Sequence, residues 1–319
     1  MQRVRKIVGL APLAGFTESA FRRLARELGA DFTWTELISG DFILSRGINH
    51  PQFHIFFEER PLRFQLQGSK TKNLVEAAQK VLYSLKPEGL DLNAGCPARK
   101  VIKTGAGAAL LTNLPLLFEI AKNLAEIAHS FGSNFSVKFR LGFAEDELEK
   151  ITETLLKAGV DILALHPRTA SQGFSGRARW ERIRDLVKMV GGEVLVLGSG
   201  DITCLSDLER FFKNTKAHGA LIGRAALKRP WIFYEWKQKH EINFSLKERL
   251  ELLRRLESYL KAYRSSEEVL KTLKLWIPKF LKGLPGKRKI LPLVLKASTL
   301  SDFWQALHLL ASSTDAKYK

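Results

Sequence analysis

The first two thirds of the chain alternate short apolar segments with longer amphipathic ones. Eight apolar segments are candidate strands, at residues 7–11, 32–37, 62–66, 89–93, 135–139, 162–166, 194–197 and 220–222. Six amphipathic segments predict helices, at residues 17–28, 72–85, 114–131, 145–158, 180–190 and 205–212. Several strand segments are apolar throughout, which is typical of parallel strands that are buried on both faces.

Eight strand–helix units within about 225 residues match the usual size of a (β/α)8 barrel, roughly 250 residues. The competing fold is an open, doubly wound sheet, which usually has fewer strands and carries the fingerprint GxGxxG in its first turn. The first turn here, at residues 11–15, reads Ala-Pro-Leu-Ala-Gly instead. We therefore predict an α/β fold, a (β/α)8 TIM barrel.

The strand signals stop after Trp231. Helical patterns at residues 244–263, 267–280 and 299–310 predict a small all-helical C-terminal domain. We place the barrel at residues 1–239 and the helical domain at residues 240–319. Residues 269–301 contain no acidic side chain and eight basic ones: Lys271, Lys274, Lys279, Lys282, Lys287, Arg288, Lys289 and Lys296. With two aromatic residues among them, this stretch favours nucleic-acid binding; a merely solvated basic face is the alternative.

Composition excludes several classes of protein. The chain has 319 residues, of which 45% are hydrophobic and 26% charged, ordinary values for a globular protein. Two cysteines cannot form the disulfide framework of a secreted domain. A basic start followed by an apolar stretch at residues 7–16 resembles a signal peptide, but Pro12 and two glycines interrupt it, so we interpret it as a buried strand. We expect a cytoplasmic protein without membrane contact, and its net charge of +18 suggests a polyanionic partner.

Working residues of such barrels lie where the strands end. Glycine-rich turns follow the last two predicted strands, at residues 199–201 (Ser-Gly-Asp) and 223–224 (Gly-Arg). We expect a phosphate there, because backbone amides of such turns and the helix starts behind them bind anions, and Arg224 adds a charge. Tight turns without a ligand are the alternative.

Lys138 is expected to point into the barrel mouth, where a buried ammonium group needs an anionic or electron-rich partner. Either a Schiff-base lysine or a cation beside a reduced flavin fits this position. His166 and Gln65 are candidate cofactor or substrate contacts near it. We expect no metal site, because the sequence contains neither CxxC nor HExxH.

Cys96 is the most informative single residue. Gly95 before it permits an unusual turn, and Pro97 after it favours an extended backbone. A cysteine thiol is mostly protonated at neutral pH, so Cys96 can act as an acid; an inert buried cysteine is the alternative. Cys204 has no comparable setting and is expected to be structural.

Five segments resemble, in order, the tRNA-dihydrouridine synthases. They are residues 11–22 (APLAGFTESAFR), 91–97 (DLNAGCP), 136–140 (SVKFR), 166–169 (HPRT) and 223–226 (GRAA). The resemblance is continuous from about residue 8 to residue 236, and residues 283–286 (GLPG) are similar to the helical domain of that family.

The resemblance implies a barrel that binds FMN, is reduced by NADPH, and reduces the C5–C6 double bond of particular tRNA uridines. Cys96 would then donate the proton to C5, and Asn93 and Arg168 would contact the substrate. The residues implied in FMN binding are Pro12, Leu13, Ala14, Gln65, Lys138, His166, Ser199, Gly200, Asp201, Gly223 and Arg224. The implied partner is tRNA; a monomer is compatible with the sequence, which predicts no oligomeric state.

Two positions depart from the family pattern. Leu13 stands where the family usually has methionine, a substitution of similar volume, and Ser199 stands where many members have asparagine. Three other functions remain open: an FMN-dependent reductase of a free pyrimidine or another small unsaturated compound, a tRNA-binding protein without catalysis, and a Schiff-base aldolase using Lys138.

Overall fold

The computed structural model describes residues 5–284 and 286–315, so Pro285 of the GLPG segment and both chain ends lie outside the described residues. Within these ranges nine strands form one parallel sheet: β1 (Ile7–Leu10), β2 (Thr33–Trp34), β3 (Ile38–Ser39), β4 (Leu62–Gln67), β5 (Gly89–Ala94), β6 (Asn134–Arg140), β7 (Ile162–His166), β8 (Leu195–Ser199) and β9 (Gly219–Ile222). Their spatial order is β1-β9-β8-β7-β6-β5-β4-β2, with β3 also beside β4.

The sheet closes between its first and second strands. Leu10 N–H donates to Phe32 O (3.1 Å), and Asp31 N–H donates to Val8 O (2.8 Å). These bonds join β1 to the segment that leads into β2 and complete the ring of parallel strands. The predicted TIM barrel is confirmed.

The predicted strand at residues 32–37 is divided into β2 and β3. Between them the Thr35 hydroxyl donates to Glu36 O (2.8 Å) and accepts a hydrogen bond from Gln65 N–H (2.9 Å). A side-chain oxygen therefore occupies the place of a backbone carbonyl and interrupts the ladder with β4.

Helices surround the barrel and follow it. They are α1 (Ser19–Glu27), α2 (Gly40–Arg46), α3 (Thr71–Leu85), α4 (Arg99–Ile102), α5 (Leu114–Ser130), α6 (Leu148–Lys157), α7 (Trp180–Met189), α8 (Leu205–Thr215), α9 (Ile232–Gln238), α10 (Leu246–Lys261), α11 (Ser266–Phe280), α12 (Lys287–Lys296) and α13 (Leu300–Asp315). The sequence analysis missed α2, α4, α9 and α12. The first three are short, and in α12 three adjacent basic residues and the internal Pro292 obscure the helical period.

The barrel interior has an apolar side and a polar side. The apolar side is a small cluster contributed by β1, β2, β7, β8, β9 and their flanking residues: Ala11, Phe32, Trp34, Ala164, Leu197 and Leu221. Gly9 makes room for it, since a Cβ at that position would lie 2.1 Å from Phe32 Cε2. On β4, β5 and β6 the buried side chains that face inward are polar instead, and they lie below the carboxyl ends of these strands.

Helices α10 and α11 pack against the entrance of the barrel. The Tyr263 hydroxyl, just after α10, donates to Glu18 Oε2 (2.9 Å) at the start of α1. The Trp276 ring of α11 lies 4.3 Å from the Phe21 ring and 5.4 Å from the Phe16 ring, between centroids. The predicted domain boundary at residues 239 and 240 falls between α9 and α10. No helix within the described ranges is both long and apolar enough to cross a membrane.

Candidate active site

A cavity of about 920 Å³ opens at the carboxyl ends of the strands. Twelve of the fourteen residues predicted for the site line it: Pro12, Leu13, Ala14, Asn93, Cys96, Lys138, His166, Ser199, Gly200, Asp201, Gly223 and Arg224. Residues more than 200 positions apart in the sequence, Pro12 and Arg224, are thus brought to one mouth. The other two, Gln65 and Arg168, do not line this cavity.

Cys96 lies in a turn that is held from two sides. The Asn93 Oδ1 atom accepts hydrogen bonds from Gly95 N–H (3.2 Å) and Cys96 N–H (2.9 Å). On the other side, Cys96 O accepts a hydrogen bond from Ala108 N–H (3.1 Å). The thiol is half-buried and unpaired with the other cysteine. The turn therefore presents a single thiol at the cavity wall on a fixed backbone.

Gln65 is completely buried below Asn93. Its Nε2 donates to Asp91 Oδ2 (2.7 Å), and its Oε1 accepts from Asn93 Nδ2 (2.8 Å). The contact with a cofactor assigned to it from the sequence stays a prediction. Asp91 was not identified from the sequence. A lone carboxylate inside the apolar segment 89–93 is nevertheless a recognisable signal, because a buried charge requires partners.

Arg168 is buried behind the cavity wall. It donates to Asp201 Oδ2 (2.7 Å) and to the carbonyl oxygens of Gly176 (2.6 Å) and Ser175 (3.2 Å). These bonds fasten the loop after β7 to the turn after β8. Its role as a substrate contact therefore stays a prediction, and in the structure its guanidinium group braces two loops.

Positive charge dominates the cavity. Six lysines and arginines line it against one acid, Asp201: Lys138, Arg140, Arg224, Lys228, Arg229 and Lys282. The neighbouring Lys282 lowers the pKa of Lys228. Such a cluster of positively charged side chains favours the binding of anionic ligands. The described residues also contain no group of three or more His, Cys, Asp or Glu side chains that could hold a metal ion.

Burial and neighbouring cations lower the pKa values of Lys138 and His166, which line the cavity. Burial, followed by the charge of Arg140, lowers the pKa of Lys138 to about 8. Burial and four surrounding cations, Lys138 among them, lower the pKa of His166 to about 2. His166 is therefore neutral at physiological pH, and an anion bound here would favour the charged form of Lys138.

Arg140 lies at a strand end where working residues were expected but was assigned no role from the sequence, and Phe174 was not identified at all. Arg140 follows Lys138 by two residues on β6, a spacing that puts both side chains on the same face of a strand. Phe174 lies in the loop after β7, half of its surface exposed, and the Arg224 guanidinium lies 4.0 Å from the centre of its ring. Only the folded loop brings Phe174 to the mouth, so strand spacing could not identify it.

The two glycine-rich turns lie side by side, since β8 pairs with β9. Gly200 has φ of +109°, and a Cβ there would lie 2.8 Å from the Ala178 Cβ. The expected helix start directly behind Gly223 is wrong. A tight turn closed by Ala226 N–H and Gly223 O (2.9 Å) follows instead, and α9 begins only at Ile232.

Comparison with known protein families decides the family. The family described as dihydrouridine synthase (Dus) matches residues 9–306. The chain belongs to the dihydrouridine synthase family. This confirms the family and the enzyme class expected from the five sequence segments.

Members of the dihydrouridine synthase family are similar over most of the chain. A probable tRNA-dihydrouridine synthase of Aquifex aeolicus is 41% identical over 293 residues, 92% of each chain. A probable tRNA-dihydrouridine synthase of Treponema pallidum is 36% identical, covering 72% of this chain and 70% of its own. The tRNA-dihydrouridine synthase B of Pseudomonas aeruginosa is 35% identical, covering 71% and 67%.

Solved structures outside the dihydrouridine synthase family share the fold. DHODH of Eimeria tenella in complex with ferulenol has a TM-score of 0.52 at 16% identity, covering 79% of this chain and 82% of its own. A 2-naphthoyl-CoA reductase complex has a TM-score of 0.58 at 10% identity, covering 74% and 50%. At these identities the comparison supports the barrel architecture alone.

The two departures from the dihydrouridine synthase pattern have different consequences. Leu13 lines the cavity, and its Cδ2 would lie 3.5 Å from a Cβ placed on Gly223, so it packs between the first and last turns. The Ser199 hydroxyl donates to Leu165 O (3.4 Å). The Ser199 side chain is thus bonded to the neighbouring strand, which leaves its backbone as the part facing a ligand.

Proposed function

We propose that this protein reduces uridines in tRNA to 5,6-dihydrouridine, with bound FMN and with NADPH as the reductant. The observation that carries the proposal is the cavity itself, in which a single thiol faces a cationic wall at the mouth of a barrel of this family. The names of the three relatives support tRNA as the substrate. Because the proposed substrate, tRNA, is found in the cytoplasm, we also propose a cytoplasmic location for this protein.

The residues present fit FMN. The Gly200 turn and the adjacent Gly223 turn, with Arg224, would hold the phosphate. Lys138, whose pKa burial lowers, gains a partner if an electron-rich ring edge lies beside it. Pro12, with its neighbours Leu13 and Ala14, would line the ring system. When bound and reduced, FMN supplies the hydride that adds to C6 of the base.

We propose Cys96 as the proton donor to C5 of the uridine. Addition of hydride at C6 makes C5 basic, and a protonated thiol held at the opposite face can deliver the proton there. Two hydrogen bonds to the backbone at Gly95 and Cys96 fix the thiol in position. Placement of the thiol, not its ionisation, is what this step requires.

We propose that residues 1–239 are the catalytic domain and that residues 240–319 bind tRNA. The support is the run of eight basic residues between positions 269 and 301. One of them, Lys282, lines the cavity, and another, Lys279, lies with its Nζ 4.2 Å from the centre of the Phe16 ring. Two basic side chains of the helical part therefore lie beside the mouth of the barrel, where they would contact tRNA phosphates.

Nucleoside mass spectrometry of an unmodified tRNA tests the proposal. After incubation with the protein, FMN and NADPH, we expect a gain of two hydrogens at a mapped uridine. The matched control is the same reaction with Cys96→Ala, which should bind FMN and form product at least about 100-fold more slowly. NADPH oxidation without any change in the tRNA would contradict the proposal and favour reduction of a small unsaturated compound.

A further inference from the structure

Four buried side chains on β4, β5 and β6 form one hydrogen-bonded chain inside the barrel. The Ser136 hydroxyl donates to Asp91 Oδ1, Gln65 Nε2 donates to Asp91 Oδ2 (2.7 Å), and Asn93 Nδ2 donates to Gln65 Oε1 (2.8 Å). Strand register brings them together, since Asp91 lies opposite both Gln65 and Ser136. We name Ser136, Asp91, Gln65 and Asn93 the polar chain.

The polar chain has a direction, because its first acceptor is a carboxylate. Burial raises the pKa of Asp91 to about 6, so at pH 7 and above the carboxylate only accepts hydrogen bonds. Gln65 must therefore turn its Nε2 toward Asp91 and its Oε1 toward Asn93. Asn93 must in turn direct its Nδ2 toward Gln65.

The far end of the polar chain imposes the same orientation. With Nδ2 toward Gln65, the Asn93 Oδ1 faces the backbone N–H groups of Gly95 and Cys96, and it accepts from both. A flipped Asn93 amide would set its oxygen against the Gln65 oxygen at one end and its N–H groups against the backbone N–H groups of Gly95 and Cys96 at the other. Asn93 Nδ2 carries a second hydrogen, for which no described residue provides an acceptor, and the side chain lines the cavity.

We propose that Asp91 and Gln65 are positioning residues that fix the amide orientation of Asn93. Through this orientation Asn93 holds the Cys96 turn with its oxygen and offers one N–H to a carbonyl oxygen of the bound base. The inference rests on the proposed function for the identity of that base. The part of the inference that concerns the Cys96 turn does not depend on the proposed function: Asp91 and Gln65 hold this turn through Asn93, although neither lines the cavity.

Gln65→Met tests the polar chain. Methionine keeps the length of the side chain and removes both of its hydrogen bonds. Gln67→Met is the matched control, since Gln67 lies on the same strand and its buried Oε1 has no partner among the described residues. Asp91→Asn is the conservative variant, because its oxygen can still accept from Gln65 while its amide donates to the Ser136 hydroxyl.

The first readout is amide hydrogen exchange in the protein without tRNA. In Gln65→Met we expect the amides of Gly95 and Cys96 to exchange about tenfold faster, as expected for loss of about 1.4 kcal/mol of local stabilisation. Gln67→Met and Asp91→Asn should match the wild type. Unchanged exchange in Gln65→Met would overturn the inference. If that variant does not fold, Ser136→Ala replaces it, with a smaller expected increase.

The second readout separates the inference from the function on which it rests. The flavin is reduced with dithionite, and its reoxidation by an unmodified tRNA transcript is followed without oxygen. Gln65→Met should slow reoxidation about 10- to 100-fold, while the control Gln67→Met should reoxidise at the wild-type rate. No reoxidation of the wild type would refute the proposed function and leave hydrogen exchange to decide the inference. Equal reoxidation in the wild type and Gln65→Met would overturn the inference.

Discussion

Two buried charged side chains inside this barrel, Asp91 and Arg168, are tolerated because each has specific partners. Asp91 accepts from Ser136 and Gln65, and Arg168 donates to Asp201 and to two carbonyl oxygens. His166 is neutral because burial and the surrounding cations lower its pKa, and its Nε2 accepts a hydrogen bond from Arg168 (3.2 Å). At the residue scale, therefore, Arg168 is paired and His166 is neutral, while the Cys96 thiol and six lysine and arginine side chains line the cavity.

Cys96→Ala should retain bound flavin and lose turnover by about 100-fold or more, since a positioned general acid contributes 10²–10⁴. The measurement is the visible absorption spectrum of the purified variant together with dihydrouridine formation per minute. Cys204→Ala is the control, because Cys204 precedes α8 and does not line the cavity. Wild-type turnover in Cys96→Ala would refute the assignment of the proton donor.

Asp91→Asn should change the pH dependence of stability. In the unfolded chain the carboxyl has its usual pKa of 3.8, and burial raises it to about 6 in the folded protein. The folded protein binds this proton more tightly, so the free energy of unfolding falls as pH rises from about 4 to about 6. Asparagine cannot ionise, so the variant should gain up to about 3 kcal/mol relative to the wild type across that range.

Urea unfolding of wild type and Asp91→Asn, at a pH of about 4.5 and again at about 7.5, measures this difference. Ser133→Ala serves as the control, because Ser133 is buried, its hydroxyl donates only to Pro87 O, and it does not ionise. A difference between Asp91→Asn and the wild type that stays constant with pH would mean that the Asp91 carboxyl does not titrate in this range.

At the scale of elements, α11 links the helical part to the loop that lines the cavity. Trp276 packs its ring on Phe21 of α1 and on Phe16 in the loop after β1. Pro12, Leu13 and Ala14, which line the cavity, belong to the same loop. The position of this loop therefore depends on a helix more than 250 residues further along the chain.

Trp276→Ala should reduce the free energy of unfolding by about 3–5 kcal/mol, because it leaves a cavity where a buried indole was. Thermal and urea unfolding measure the loss, and flavin release during gel filtration reports on the loop. Leu275→Ala is the neighbouring control, since Leu275 is 45% exposed on the same helix. Equal stability of the two variants would show that α11 does not brace the barrel.

At the scale of the whole molecule, charge and shape act together. The net charge of +18 is concentrated in part on α11, α12 and the segment between them, and six basic side chains line the cavity. Binding of a polyanion to such a surface releases counterions, so its affinity depends on salt.

The affinity for tRNA should fall steeply with salt, by about 10³ or more between 50 and 200 mM if about six phosphates are contacted. Filter binding across that range measures the slope of the logarithm of the affinity against the logarithm of the salt concentration. Lys282→Ala should weaken binding and reduce the slope by about one. Lys80→Ala is the control, because Lys80 pairs with Glu76 on α3 and does not line the cavity. A flat salt dependence would refute tRNA as the partner.

Local patterns were sufficient for the barrel and for most of the site. Parallel strands buried on both faces read as apolar runs, and the residues that end such strands meet at one edge, so Cys96, Lys138 and Gly200 could be assigned to one cavity. Short elements such as α2 and α4 were missed because a few residues carry too little periodicity. The strand at residues 32–37 was wrong in detail because a threonine hydroxyl replaced a ladder bond.

The sequence by itself determined the fold class and the family, since both depend on residue type and on spacing along individual segments. Only the tertiary structure decided what Gln65, Asp91 and Arg168 contact. Their partners lie on other strands or loops, and Gln65 is 26 residues from Asp91 and 28 from Asn93. Hydrogen bonds across strands depend on register and on which face each side chain takes, and both are set only when the sheet closes.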